Sequence, residues 1–187
     1  MSPERQFRRF RMEMNLREWT FVEPKLPDGY HAEPWRSSLL DAHAAAHYLS
    51  FRDEIDATMF TRFQTYGGCR QIVENVSRHC GFLPDATWLM MYHPKDAYYP
   101  EAVGTMQALI DTQGLGSIQN IGVIPAHRGK GLGGSLLMYC LRGYRSHGVS
   151  LVHLDVTAEN GDAIQLYKKI GFQIVSEFYY VQKSARN

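Results

Sequence analysis

The sequence predicts a mixed α/β fold, one mixed sheet with helices on both faces. Three observations predict it. Two helical patterns come early, a strand meander fills the middle, and a β-α-β-α-β alternation closes the chain. The chain has 187 residues, 44% of them hydrophobic, enough for one large domain with a true core rather than a disordered segment.

The elements follow in order. Phe10, Met12, Met14 and Leu16 alternate with Arg11, Glu13, Asn15 and Arg17, the period of a half-buried strand. Arg5, Arg8, Arg9 and Arg11 then read as its solvated face. Breaker-rich Glu23–Gly29 reads as a linker, dividing an N-terminal strand and linker (1–28) from a main domain (29–187). Tyr30–Trp35 is a short strand. Ser38 and Asp41 have capping-box spacing before Leu39, Ala42, Ala46 and Leu49 at helical intervals. A second helix carries Ile72, Val73, Val76 and Cys80 on its buried side. Thr87–His93, Glu101–Ile110 and Ser117–Ile124 are strands, and Gly129–His147 is a helix stopping at Gly148. Leu151–Val156 is a strand, Asn160–Ile170 a helix, and Phe172–Val181 the last strand.

Bulk properties exclude several functions. A net charge of +1 is not the footprint of a nucleic-acid binder. Cys69, Cys80 and Cys140 form no CxxC pair, which points to a reducing compartment rather than a disulfide framework. Cys140 falls among apolar helix residues and reads as core. No apolar run reaches the length of a membrane span and no signal-peptide region opens the chain, so a cytoplasmic protein without membrane contact is expected.

Ile118–Leu137, IQNIGVIPAHRGKGLGGSLL, is the most informative segment. Gly129, Gly131, Gly133 and Gly134 fall at the expected start of a helix, where each costs about 0.5–1 kcal/mol relative to alanine. Glycine there allows close backbone approach, so that the free N–H groups of a helix N-terminus can grip an anion. Arg128 and Lys130 add positive charge, and a phosphate or pyrophosphate site is the inference. Gly129–Gly134 also matches GxGxxG, with Asp155 about twenty residues on, so a dinucleotide-binding oxidoreductase is the runner-up. Against it, Pro125–Arg128 separates strand from glycine, and the run comes too late for a full dinucleotide domain. A Walker A loop fails because no Gly-Lys-Ser/Thr ends the run.

Arg128-Gly129-Lys130-Gly131-Leu132-Gly133 resembles the R/Q-x-x-G-x-G/A acetyl-CoA loop of the GCN5-related N-acetyltransferase (GNAT) superfamily, and Val123 and Pro125 before it suit that family's strand. Asn160-Gly161-Asp162-Ala163-Ile164-Gln165-Leu166-Tyr167, followed by Gly171-Phe172, resembles its second motif, N-x-x-A-x-x-L-Y…GF. Order and separation are the family's, and the two motifs span the C-terminal half. The resemblance implies a mostly antiparallel sheet splayed between its two central strands, and a soluble enzyme that transfers acetyl from acetyl-CoA to an amine.

It also implies roles. The backbone of Arg128, Gly129, Lys130, Gly131, Leu132 and Gly133, with Gly134 and Ser135 completing the loop, would bind the pyrophosphate. Ile121, Gly122 and Val123 would run beside the pantetheine, and one N–H there would polarise the thioester carbonyl. Asn160 would meet the pantetheine, and Tyr167, two turns along the same face, would reach the sulfur and protonate the departing thiolate. Many members carry a glutamate base where this chain has Gln119, whose amide cannot take a proton. Asp155 stands where the ribosomal-protein alanine acetyltransferases of the family place a glutamate, and is the expected base through a water; Glu101 and Asp111 are weaker candidates. A non-catalytic acyl-CoA sensor is the other reading that Gln119 keeps open.

No metal is expected. His43 and His47 have i,i+4 spacing, but no HExxH glutamate or third ligand accompanies them, and a thioester is already activated. The acceptor, a small amine or a protein N-terminus, would enter near Asp53, Glu54 and Asp56, between walls of Phe60, Phe63 and Tyr66. A homodimer is left open.

Overall fold

The computed structural model describes residues 5–182. Seven strands form one sheet: β1 (Arg5–Asn15), β2 (Tyr30–Pro34), β3 (Trp88–Tyr92), β4 (Glu101–Ile110), β5 (Gly116–Val123), β6 (Leu151–Thr157) and β7 (Gln173–Gln182). Their spatial order is β2-β3-β4-β5-β6-β1-β7. Every pairing is antiparallel except β5 with β6. That pattern removes the dinucleotide-binding reading, which needs a mainly parallel sheet. β1 is inserted between β6 and β7, so the segment before the linker belongs to the same sheet as the rest.

Five helices complete the fold: α1 (Leu40–Phe51), α2 (Ile55–Met59), α3 (Tyr66–Ser77), α4 (Leu132–Ser146) and α5 (Gly161–Ile170). Two-residue alternation sorts side chains to the sheet's two faces. Met12, Met14, Met90, Met106, Ala108, Val152, Leu154 and Val156 form the main core with Leu136, Leu137, Cys140, Leu141 and Tyr144 of α4. On the opposite face Ala46 of α1 meets Leu89 and Met91, and His43 Nδ1 bonds Thr105 Oγ1 at 2.8 Å. Helices therefore cover both faces.

Local expectations were corrected in four places. The Ser38–Asp41 capping box does not form: a 3-10 turn at Ser37–Leu39 precedes α1, and its N-cap, Leu39, makes no side-chain bond. The helix buries His43, Ala44, Ala46, His47 and Ser50, while Leu49 is exposed, because polar histidines rather than leucines face the sheet. Cys80 lies beyond α3 and is exposed, leaving Cys69 and Val73 as that helix's buried residues. The glycine helix begins at Leu132, not Gly129, because Gly129 and Gly131 adopt φ of 75° and 80°, outside the right-handed helical region.

Close approach matters most where α4 crosses the turn at Pro84–Ala86. A Cβ at Gly143 would overlap the Asp85 carbonyl oxygen and lie 2.6 Å from Ala86 Cα, both backbone atoms that cannot rotate away. Gly143→Ala should therefore destabilise the fold by about 1–3 kcal/mol or more. A lowered urea midpoint with an unchanged slope is the expected result; an unchanged midpoint contradicts this packing.

Candidate active site

The site begins where the sheet opens. β5 and β6 pair only at Gly116 with Val152 and Ser117 with His153. β5 then follows β4 to Val123, while β6 follows β1 to Thr157. A bulge between Gln107 and Ala108 lets β5 bend away. From Ile118 to Val123, the edge of β5 facing β6 has no strand partner among the described residues. Its backbone groups border two adjoining cavities of about 590 Å³ and 480 Å³. The cavities share Phe51, Asp56, Ile121, Asn160, Ala163 and Tyr167 as a common wall.

The smaller cavity lies over the glycine turn. Ile121, Gly122, Val123, Arg128, Gly129, Gly131, Leu132, Gly133, Gly134 and Asn160 all line it. The first helical bond runs from Ser135 N to Gly131 O at 3.0 Å, so the N–H groups of Leu132, Gly133 and Gly134 precede the α4 ladder. No backbone acceptor among the described residues takes those of Gly129, Lys130 or Gly131. A Cβ on Gly129 or Gly131 would meet nothing within 4 Å, so the space over these amides is open. No acidic side chain sits in the first turn of α4 to compete for them.

Several loop side chains face elsewhere. The Arg128 guanidinium donates to Val123 O at 2.9 Å, Ser50 O at 3.0 Å and Glu54 Oε1 at 2.6 Å, while its own amide bonds Pro125 O. It ties the loop to β5 and to the end of α1. Lys130 Nζ reaches Ala126 O at 3.3 Å, and Ser135 Oγ donates to Gly131 O at 3.2 Å. Gly122 has a packing reason: a Cβ there would lie 2.7 Å from both Phe51 and Ser50.

Tyr167 stands at the junction of the cavities, with Phe172 edge-on at 6.0 Å. Its hydroxyl has no hydrogen-bond partner among the described residues. Burial pushes the phenol well above its usual range, nearby Asp56 adds to the rise, and Arg9 opposes it. Asn160 lies just outside α5, where its Oδ1 caps Ala163 N at 3.2 Å. Its amide N–H₂ remains to meet a ligand.

The larger cavity differs from the expected acceptor entrance. Asp56, Phe60 and Phe63 do line it. Asp53 instead pairs with Arg52 in solvent, Glu54 holds Arg128, and the Tyr66 hydroxyl reaches Asp41. Arg9 and Arg11 are not an outer solvated face. They point into this cavity, since β1 buries Met12 and Met14 on its other side. Arg11 grips Asp155 with both arms of its fork, Nε to Oδ1 at 2.5 Å and Nη2 to Oδ2 at 3.2 Å. Asp155 thus lines the cavity with both oxygens engaged. Gln119 donates to Ser117 Oγ at 2.8 Å. Glu101 lies 3.3 Å from His127 at the far end of β4. His153, which no sequence pattern singled out, lines the cavity beside Asp155 and bonds Asp111. Its position two residues before Asp155 on one strand was the available signal.

Behind the cavity, His43 and His47 are fully buried, and both ring nitrogens of His47 lack a partner among the described residues. Among those residues no cluster of three potential metal ligands occurs. Burial depresses His43 to about 3 and His47 to about 4. The fold therefore holds them neutral, while the unfolded chain takes up protons below about 6.5. Stability from this source is complete above that pH and is lost as pH falls towards about 4. Each histidine costs up to about 1.4 kcal/mol per pH unit in that window. His47→Gln should flatten the loss between about pH 7.5 and about pH 5 in urea unfolding; an unchanged pH slope contradicts the assignment.

Comparison with known proteins fits this geometry. A family model described as "Acetyltransferase (GNAT) family" matches residues 15–172. The Bacillus subtilis protein named Uncharacterized N-acetyltransferase YobR is 34% identical over 97 residues, 52% of this chain and 37% of that protein. A mycothiol acetyltransferase of Corynebacterium aurimucosum is 36% identical over 74 residues, 40% of this chain and 24% of its own. The chain therefore spans well under half the length of these curated relatives. A GCN5-related N-acetyltransferase from Sphaerobacter thermophilus superposes with a TM-score of 0.67 at 21% identity, covering 98% of this chain and 55% of that one. The ribosomal-protein-S18-alanine N-acetyltransferase of Escherichia coli gives a TM-score of 0.58 at 14% identity, covering 84% and 96%. These two structures share the fold. With its splayed sheet, its glycine cradle and a family match over most of its length, the chain belongs to the acetyltransferase (GNAT) family.

Proposed function

We propose that the protein transfers acetyl from acetyl-CoA to a primary amine by direct attack in a ternary complex. One observation carries the reading: a cavity lined by helix N-terminal amides joins a second cavity at a buried tyrosine whose hydroxyl has no partner among the described residues. The first suits a pyrophosphate and the second an acceptor, with the reacting atoms meeting between them.

In this reading Gly129, Lys130, Gly131, Leu132, Gly133 and Gly134 present N–H groups to the pyrophosphate. Arg128 and Ser135 hold the loop in shape. The unpaired edge at Ile121, Gly122 and Val123 hydrogen-bonds the pantetheine, and a backbone N–H there stabilises the oxyanion. Asn160 contacts the pantetheine through its free amide. Acetyl-CoA supplies an activated thioester, so no metal is required. Tyr167 stays protonated because of its burial and donates that proton to the leaving sulfur. Asp155, fixed by Arg11, orients the incoming amine through a water. Relatives named mycothiol acetyltransferase support acetyl as the group transferred.

The acceptor is a small molecule or a protein N-terminus entering the cavity of about 590 Å³, a volume typical of ligand sites. The setting is cytoplasmic, on the strength of three free, scattered cysteines. No helix among the described residues is long and apolar enough to cross a membrane. A second copy would pair most naturally along β7, an edge strand that exposes Val175, Tyr179 and Val181.

Thermal unfolding tests the cofactor assignment. Acetyl-CoA at about 100 times its Kd should add about 2.7 kcal/mol of stability and raise Tm with concentration. NAD at the same concentration should do little. The reverse order would overturn the reading.

A further inference from the structure

We infer that His153, oriented by Asp111, is the group that accepts the amine's proton during acetyl transfer. The inference rests on the acyltransfer reading and adds a residue to it. Gln119 cannot act as a base, and at Asp155 the Arg11 fork competes with a proton for the same oxygens. Asp56, the other carboxylate on the wall, accepts from the Thr157 hydroxyl and faces Arg9, so both carboxylates are engaged and the proton acceptor lies elsewhere. His153 lies at the closed end of the splay, opposite Ser117, the last paired residue of β5. It shares the cavity wall with Asp155 and lies two residues, about 6.5–7 Å, back along β6 towards the closed end of the splay. A short chain of waters would carry the proton from the amine to the ring.

Asp111 fixes the chemistry of the ring. Its Oδ2 lies 3.1 Å from His153 Nε2, while its Oδ1 accepts from Gln113 N at 2.8 Å and Leu115 N at 3.0 Å. Desolvation raises the Asp111 carboxyl, but the bonds from Leu115, His153 and Gln113 outweigh it and hold the group below its usual range. An anionic Asp111 makes Nε2 the protonated nitrogen, which leaves the Nδ1 lone pair available. This is the orienting logic of a histidine–carboxylate pair. The charged groups around the ring are Asp111, Glu13 directly opposite on β1, and the Arg11–Asp155 pair two residues further along β6. Arg9, Asp56 and Arg62 complete the charged lining of the cavity, with Arg9 3.9 Å from Asp56. The uncharged neighbours on β5 are Ser117 and Gln119.

The protons balance. The amine nitrogen bonds the acetyl carbon and the carbon–sulfur bond breaks. The proton leaving nitrogen passes through water to Nδ1, and Tyr167 protonates the sulfur. The imidazolium then returns a proton to the tyrosinate through the cavity's waters, restoring both groups.

Two variants test the assignment with a weakly basic amine acceptor that stays neutral across the pH range. His153→Gln keeps a donor for Asp111 and should lower kcat by about 10²–10⁴-fold. The fall in kcat/KM at acid pH should disappear with it, while calorimetric affinity for acetyl-CoA holds. Asp111→Asn keeps Oδ1 for the turn but turns an amide N–H₂ toward Nε2. That forces the Nδ1–H tautomer and should cost at least about tenfold in rate. Nitrogen NMR should report Nε2–H in the wild type and Nδ1–H in Asp111→Asn, a switch that a merely structural role would not produce. Wild-type rate and pH profile in His153→Gln, or an Nδ1–H tautomer in the wild type, would overturn the inference alone. A wild type that binds acetyl-CoA yet acetylates no amine would overturn the acyltransfer reading and this inference with it.

Discussion

Tyr167→Phe is expected to lower turnover by about 10²–10⁴-fold with little change in acetyl-CoA affinity. The substitution keeps the ring and its edge contact with Phe172, and removes only a hydroxyl that has no partner among the described residues. Fold stability should therefore change little. Burial keeps the phenol protonated at neutral pH, as the proposed proton donor requires. It lies on the wall shared by both cavities, where the proposed transfer would bring sulfur and amine together. Single-turnover kinetics with a good acceptor would measure the effect on the chemical step. Full activity would remove Tyr167 from the mechanism while leaving the cofactor cradle in place.

Gly131→Val should abolish tight acetyl-CoA binding. Gly131 is the N-cap of α4 at φ of 80°, with open space where a Cβ would project. A β-branched side chain there would stand over the amides and hold the pyrophosphate away. Losing two hydrogen bonds to a charged group, each about 1.5–3 kcal/mol, weakens binding on the order of 10²–10⁴-fold. The substitution also carries the backbone strain of the left-handed region, about 1–2 kcal/mol. Gly148→Val separates the two effects, since Gly148 has φ of 74°, equally open surroundings and a place at the other end of α4. Both variants should lose similar stability, and only Gly131→Val should lose acetyl-CoA in calorimetry. Equal affinities would contradict the phosphate cradle.

These expectations draw on what the sequence made legible. The glycines of 129–134 stood out because such a run is costly inside a helix, and Asn160 to Phe172 supplied a second motif in matching order and spacing. In the structure Gly129 and Gly131 precede α4, and of the run only Gly133 and Gly134 lie within it. The alternation in β1 located Met12 and Met14 in the core. The same alternation could not say which surface the arginines faced. A period of two assigns sides of a strand, whereas the cavity over Arg9 and Arg11 is made by α2 and its following turn, some fifty residues away. Leu49 misled for a related reason: helical spacing favours leucine as core, yet α1 buries two histidines against Thr105 and Phe63. His153 was hidden because its partner, Asp111, is 42 residues distant and meets it only through the pairing of β5 with β6.

The most direct test offers acetyl-CoA and a panel of amines to the purified chain, including arylalkylamines, amino-acid amides, amino sugars and short peptides with free N-termini. Thiol release would be followed together with the mass of the acceptor. The account predicts that at least one amine gains a single acetyl group, with one thiol released per acetyl transferred. Acetyl-CoA binding without acetylation of any amine would contradict it, and would leave the splayed sheet and its glycine cradle as an acyl-CoA sensor.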